Sequence, residues 1–214
     1  MKKSVLKFVS VTAALILAVG AMAGCGSTDT ADKLVMGTNA AFEPFEFTTT
    51  DGLVGEFDGI DVAIAVELAK AMNKELVIED MEFEGLLASV QGGKIDMAVA
   101  GMTIKPERLE SVDFSIPYYT ATQVMVVAAD NADITCADDL KNGKLDAVVI
   151  DSYTGKVLAE KNGLKVIEDA EAFEAEEYAI AVKKGNTELL DAINTKLDEM
   201  LTSGQIAEIA AQYN

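Results

Sequence analysis

The chain has 214 residues, half of them hydrophobic, which suits one or two compact domains and excludes a disordered chain. Its 36 acidic against 17 basic residues give a net charge of −19, and so acidic a body repels phosphate backbones and anionic lipid headgroups; no nucleic-acid partner is expected. There is no histidine, which removes the commonest general base and the commonest zinc ligand and excludes a metalloenzyme or a Ser-His-Asp hydrolase; no cofactor is implied.

The N-terminus reads as an address. Lys2, Lys3 and Lys7 form a basic start, Phe8 to Gly20 is almost wholly apolar, and small residues follow. This is the pattern of a secretory signal peptide over 1–24, and the apolar run is shorter than the roughly 20 residues that a spanning helix needs. Met22-Ala-Gly-Cys25 resembles the bacterial lipobox, which implies that Cys25 is lipidated and becomes the first mature residue, followed by a small, polar tether over 25–32. Cys136 is then the one remaining thiol, with no partner for an intramolecular disulfide.

Lys33 to Gly37 is a short strand. Gly55 to Asn73 carries apolar residues at three- and four-residue steps and predicts a helix. Leu76 to Ile78 reads as a strand, Phe83 to Gln91 as a helix stopped by Gly92-Gly93, and Ile95 to Ala100 as a buried strand. Pro106 stands where a helix would begin, because its missing N–H costs nothing there. Gln123 to Ala129, Leu145 to Ile150 and Tyr178 to Val182 are further strands. Thr187 is expected to cap a helix that Gly204 ends, and Gln205 to Tyr213 forms a last short helix. Strands alternating with helices argue for an α/β fold with a largely parallel sheet.

Gly93-Lys-Ile-Asp-Met-Ala-Val-Ala-Gly101 is similar to Gly143-Lys-Leu-Asp-Ala-Val-Val-Ile-Asp151. Two related lobes with one equivalent strand each account for the match, and Gly101 and Asp151 then stand at equivalent strand ends. Ligands of open α/β sheets bind beyond such carboxyl ends. Asp96 and Asp146 sit at the opposite ends and read as structural.

A free amino acid needs a forked donor for its carboxylate and an acid for its ammonium. Thr103 and Arg108 follow the strand that ends at Gly101. A cation in the first turn of a helix opposes the helix dipole, so Arg108 is either an ordinary surface arginine or a residue placed there for another purpose. Asp151 is either a helix N-cap or a ligand for an ammonium. Phe42 and Phe83 are core aromatics by default.

The segments Gly37-Thr-Asn-Ala-Ala-Phe-Glu-Pro-Phe-Glu-Phe47, Phe57-Asp-Gly-Ile-Asp-Val62, Ala98-Val-Ala-Gly-Met-Thr-Ile-Lys-Pro-Glu-Arg108 and Val112-Asp-Phe-Ser-Ile-Pro-Tyr-Tyr119 resemble the polar amino-acid-binding proteins of ABC importers, solute-binding family 3. The resemblance runs from Lys33 almost to the C-terminus. It implies a two-lobed, periplasmic-binding-protein-like type II fold, not an enzyme. Lobe 1 would comprise 33–121 and 176–214 and lobe 2 would comprise 122–175, with crossings near Tyr119–Ala121 and Glu176–Tyr178. Arg108 would hold the ligand carboxylate, with Thr103 and the Gly101 backbone beside it. Phe42 and Phe83 would sandwich the ligand side chain, Asn39 would read its polarity, and Asp151 would take the α-ammonium. The implied partners are a free amino acid and the permease subunits of a transporter, with the chain held outside the cell membrane, or in the periplasm, by its lipid anchor.

One departure is large. After Asp139-Leu140 the family continues through two further β-α units, whereas this chain passes directly to Asn142-Gly143-Lys144. About 40 to 50 residues are absent by typical element lengths. The family's second-lobe strand order, 2-1-3-n-4, would lose its first two strands and keep a contiguous set of about three: Leu145–Ile150, Gln123–Ala129 and a strand near Leu164–Ile167. Leu145–Ile150 then becomes an apolar edge. An alternative function follows from that edge: a repurposed surface lipoprotein that no longer binds an amino acid and meets a partner there.

Overall fold

The computed structural model describes residues 33–131, 133–134 and 147–213. The expected signal peptide, Cys25 and the tether lie outside the described residues, as do Cys136, Asp146 and the junction at 139–144. In chain order the first part reads β1 (Lys33–Thr38), β2 (Ala41–Phe42), β3 (Glu46–Thr48), β4 (Phe57–Asp58), α1 (Ile60–Ala71), β5 (Glu75–Asp80), α2 (Phe83–Gly92), β6 (Met97–Ala98), α3 (Pro106–Leu109) and β7 (Val112–Phe114). Then come β8 (Tyr119–Ala121), β9 (Gln123–Val127), β10 (Ala147–Asp151), α4 (Ser152–Asn162) and β11 (Lys165–Glu168). The chain returns through β12 (Glu176–Tyr178) and β13 (Ala181–Lys183) to α5 (Thr187–Ser203) and α6 (Gln205–Ala211).

The first lobe is built on a five-stranded sheet of order β5-β1-β6-β13-β7. Side chains alternate across it, as the pleat requires. Met97 and Val99 enter one core with Leu68, Ile193 and Leu197, while Ala98 and Ala100 enter a second with Leu86 and Val90. Helices therefore cover both faces. The sheet is parallel only over β5-β1-β6, because β13 returns from the second lobe and runs antiparallel to β6 and β7. A largely parallel sheet is thus corrected to a mixed one.

The second lobe carries a three-stranded sheet of order β10-β9-β11, both outer strands antiparallel to β9. This is the contiguous remnant that the sequence implies. Helix α4 packs on one face over Val124 and Val126, and Gly155 permits the approach: a Cβ there would meet Val124 Cγ2 at 2.6 Å. Ile134 and Phe173 pack on the other face against Met125, Val127 and Ile167. Strand β10 is an edge, and its Val148 and Val149 are 59% and 43% exposed.

The two lobes are joined by β8 and β12, which pair with each other antiparallel, Tyr119 opposite Tyr178 and Ala121 opposite Glu176. Helix α4 also reaches the first lobe. The Tyr153 hydroxyl donates to the carbonyl of Ala210 at 2.9 Å, and Lys161 Nζ lies 2.5 Å from Glu43 Oε2.

Several local expectations shift. Helix α1 begins at Ile60 rather than near Gly55, because Val54 and Phe57 form a β-bridge and Gly59 holds φ at 123°. The Ile95–Ala100 strand is regular only over β6, flanked by single bonds from Asp96 N to Val35 O and Val99 N to Gly37 O. The Tyr178–Val182 strand is two strands, since β12 belongs to the crossing ribbon and β13 to the main sheet. Asn186, not Thr187, caps α5: its side chain accepts from Leu189 N.

Candidate functional site

The ends of β6 and β10 face one cavity of about 400 Å³ between the two sheets. Asn39, Phe42, Phe83, Gly101, Thr103 and Asp151 all line it. Arg108 does not line it directly. Its guanidinium lies 5.2 Å from the centre of the Phe83 ring and donates from Nη1 to the Thr103 carbonyl at 2.8 Å. That bond uses one of five N–H donors. Burial lowers the Arg108 pKa, opposed by the charges of Glu107 and Glu176. The dipole argument for Arg108 does not apply, because α3 is a single turn of four residues and its first turn is also its last.

Asp151 serves two purposes at once. Its Oδ1 accepts from the amides of Tyr153 and Thr154 at 2.8 and 3.1 Å and so caps α4. Its Oδ2 accepts from the Tyr178 hydroxyl at 3.3 Å. Burial raises the Asp151 pKa, and the three hydrogen bonds oppose that shift.

The backbone N–H of Gly101 is committed to Asp61 Oδ2 at 2.8 Å. Gly101 sits at φ 49°, and a Cβ there would meet the Phe42 ring at 2.8 Å, so only glycine lets this strand end approach the ring. Asn39 donates from Nδ2 to the Met81 carbonyl at 3.1 Å, which fixes the amide and leaves Oδ1 as its second polar atom.

Four further polar lining residues escaped the sequence reading as site residues: Glu46, Gln123, Glu176 and Tyr178. Glu176 Oε2 accepts from the Thr103 hydroxyl at 2.7 Å. Glu176 and Tyr178 lie on a crossing strand that the sequence does locate, and that placement was the available signal. Among the described residues, no group of three or more cysteine or acidic side chains is placed to hold a metal ion.

A larger cavity, about 650 Å³, lies between α4 and the C-terminal helix and is lined by Glu43, Tyr119, Tyr153, Lys156, Lys161 and Tyr213 among others. Phe45 divides the two spaces. It stacks on Phe42 at 5.5 Å and meets Tyr119 and Tyr153 edge-on at 5.0 and 6.1 Å. The smaller cavity is the one that stands between the two equivalent strand ends, Gly101 and Asp151.

Comparison with known proteins gives the same direction. A profile of "Bacterial extracellular solute-binding proteins, family 3" matches residues 34–214. The chain is 31% identical to the arginine-binding extracellular protein ArtP of Bacillus subtilis, covering 100% of this chain and 98% of that one. It is 26% identical to the L-cystine-binding protein TcyJ of Escherichia coli (strain K12), over 92% of each. The alignment with ArtP runs over 258 positions against 214 residues here, so this chain lacks residues at about 44 of them. Among solved structures, an ancestral arginine-binding protein bound to glutamine superposes with a TM-score of 0.75 at 32% identity, covering 85% of this chain and 97% of that one. AbpA of Streptococcus pneumoniae, bound to L-arginine, gives 0.77 at 26% identity, covering 86% and 95%.

Proposed function

The chain belongs to the bacterial extracellular solute-binding proteins of family 3, and from that footing we propose that it captures a free amino acid between its two lobes for an ABC importer. The family is one of solute-binding proteins rather than enzymes. The observation that carries the proposal is the convergence on one cavity of Gly101 from one sheet and Asp151 from the other, with Arg108 held against Thr103 and Phe83.

In this reading the guanidinium of Arg108 turns to take the α-carboxylate as a fork, and Asp151 Oδ2 takes the α-ammonium. Phe42 and Phe83 flank the side chain. With those two charges answered, Glu176 adds a further carboxylate to the wall, which favours a side chain bearing positive charge or hydrogen-bond donors. L-Arginine is the first ligand to test. Titration calorimetry against a panel of amino acids decides the matter, and absence of binding by every member overturns the proposal. Mass spectrometry of small molecules that co-purify with the protein identifies the ligand without a panel.

We further propose that Cys25 is lipidated after removal of 1–24 and that the lipid holds the protein outside the membrane, where it meets the permease. Among the described residues no helix is long and apolar enough to cross a membrane. Intact-mass measurement of protein extracted from membranes tests this: a Cys25→Ser variant must lose the lipid mass, and an unmodified Cys25 overturns it.

A further inference from the structure

Beneath Gly101 lies a pair of buried acids that the binding reading does not use. Glu46 is 1% exposed and Asp61 fully buried. They meet because β3 runs into the start of α1: Ile60 N and Asp61 N donate to the carbonyls of Pro44 and Phe45 at 3.0 and 2.9 Å. The bond from the Asp61 amide to the carbonyl of the residue before Glu46 brings the two acidic side chains together, and each affects the other's ionisation.

Their surroundings differ sharply. Asp61 sits in the first turn of a 12-residue helix, where negative charge is favoured. It accepts from Gly101 N at 2.8 Å and from the Tyr118 hydroxyl at 2.8 and 2.9 Å to its two oxygens. Glu46 has no such support, and its buried Oε2 has no N–H or O–H donor. Two ionised carboxylates cannot remain in contact away from water without a cation between them. The ionisable groups facing the pair are Tyr118, from the segment before β8, and Tyr178, from β12, with Asp151 and Glu176 beyond Tyr178; none is a cation.

We propose that Glu46 and Asp61 hold one proton between them, carried on Glu46 and donated to Asp61, and that the pair positions the Gly101 main chain in the cavity. A proton on Glu46 turns its orphaned oxygen into a donor and gives Asp61 a further hydrogen bond. Asp61 then remains an anion whose Oδ2 holds the Gly101 amide, at the strand end where no other residue than glycine fits against Phe42. Burial and the neighbouring Asp61 both raise the Glu46 pKa well above that of an ordinary glutamate, in agreement with the geometry. Glu46 is thus a positioning residue that acts through Asp61.

The proposal concerns the ligand-free protein, so it stands or falls separately from amino-acid binding. The test is a pH titration of ligand-free, full-length protein by NMR, with carbon-13 in the glutamate carboxyl groups and nitrogen-15 in the backbone. One glutamate carboxyl is expected to remain protonated at neutral pH, and its signal must vanish in Glu46→Gln. The Gly101 amide resonance must shift with the same midpoint as that carboxyl. Asp61→Asn, which removes the anionic acceptor, must move the Glu46 titration downward, and it serves should Glu46→Gln fail to fold. Glutamates all ionised at neutral pH overturn the shared proton. A Gly101 amide that ignores the titration overturns the positioning role.

Discussion

The Tyr178 hydroxyl donates to Asp151 Oδ2 while the other oxygen of the same carboxylate caps α4. One side chain thus ties a crossing strand to the helix and sheet of the second lobe. The two roles are separable by mutation. Asn is as good an N-cap as Asp, so Asp151→Asn is expected to cost well under 1 kcal/mol of stability, whereas Asp151→Ala costs about 1 kcal/mol. Both lose the negative charge proposed for the α-ammonium, so both should weaken amino-acid binding by roughly ten- to hundredfold. Thermal unfolding and calorimetry of the two variants distinguish cap from charge. Undiminished binding by Asp151→Asn would remove the residue from the proposed pose.

Arg108 offers the fork that a carboxylate fits. Arg108→Ala should abolish measurable binding of any α-amino acid. Arg108→Lys restores charge without the planar fork and should recover only part of it. Calorimetry on the folded variants reads the effect. Wild-type affinity in Arg108→Ala would sink the assigned orientation.

Protein stability should fall as pH rises. Asp61 is raised from 3.8 to about 6 by burial, against the hydrogen bonds from Gly101 and Tyr118, and Glu46 is raised further above its ordinary 4.5. Each group holds its proton longer in the folded than in the unfolded chain. Its contribution is therefore fully present below its unfolded pKa and is lost as pH rises through its folded one, at about 1.4 kcal/mol per unit of difference. Melting temperatures between pH 4.5 and pH 9 should decline, and Glu46→Gln should flatten the curve. An equal slope in the variant would show that the dependence comes from general repulsion among the 36 acidic residues.

The β10 edge should govern self-association. Val148 is exposed on a strand whose outer side pairs with no other strand among the described residues, and such edges recruit other strands. Val148→Lys is expected to change stability by no more than about 0.5 kcal/mol while slowing aggregation on warming. Light scattering during a temperature ramp checks it; an unchanged onset would clear the edge.

Much of the molecule was legible from local pattern. The repeat ending at Gly101 and Asp151 located both sides of the cavity, because a buried strand followed by a turn is a short-range signal. The β10-β9-β11 order followed from family topology once the shortening was seen. What escaped depends on contacts between distant residues. Glu46 and Asp61 each lie inside a recognisable motif, yet nothing local says that β3 abuts α1 and presses the two acids together. The break between β12 and β13 was hidden for a similar reason: the residues are uniformly β-forming, and only the choice of partner strands divides them. The cap of α5 moved by one residue, since Asn186 and Thr187 are both competent caps and the loop geometry selects between them.

The pairing of β8 with β12 bears on how the two lobes can move. Two separate crossings would act as independent joints, each free to bend about its own axis. Here the backbones of Tyr119–Ala121 and Glu176–Tyr178 are laced together by ladder hydrogen bonds. Rotation at one strand is then transmitted to the other, so any movement between the lobes must flex or twist a single ribbon. The side chains at that ribbon, Tyr178 and Glu176, also reach the cavity. Torsion of the ribbon and rearrangement of the cavity wall are therefore one coordinate, and a change in either strand should register in both.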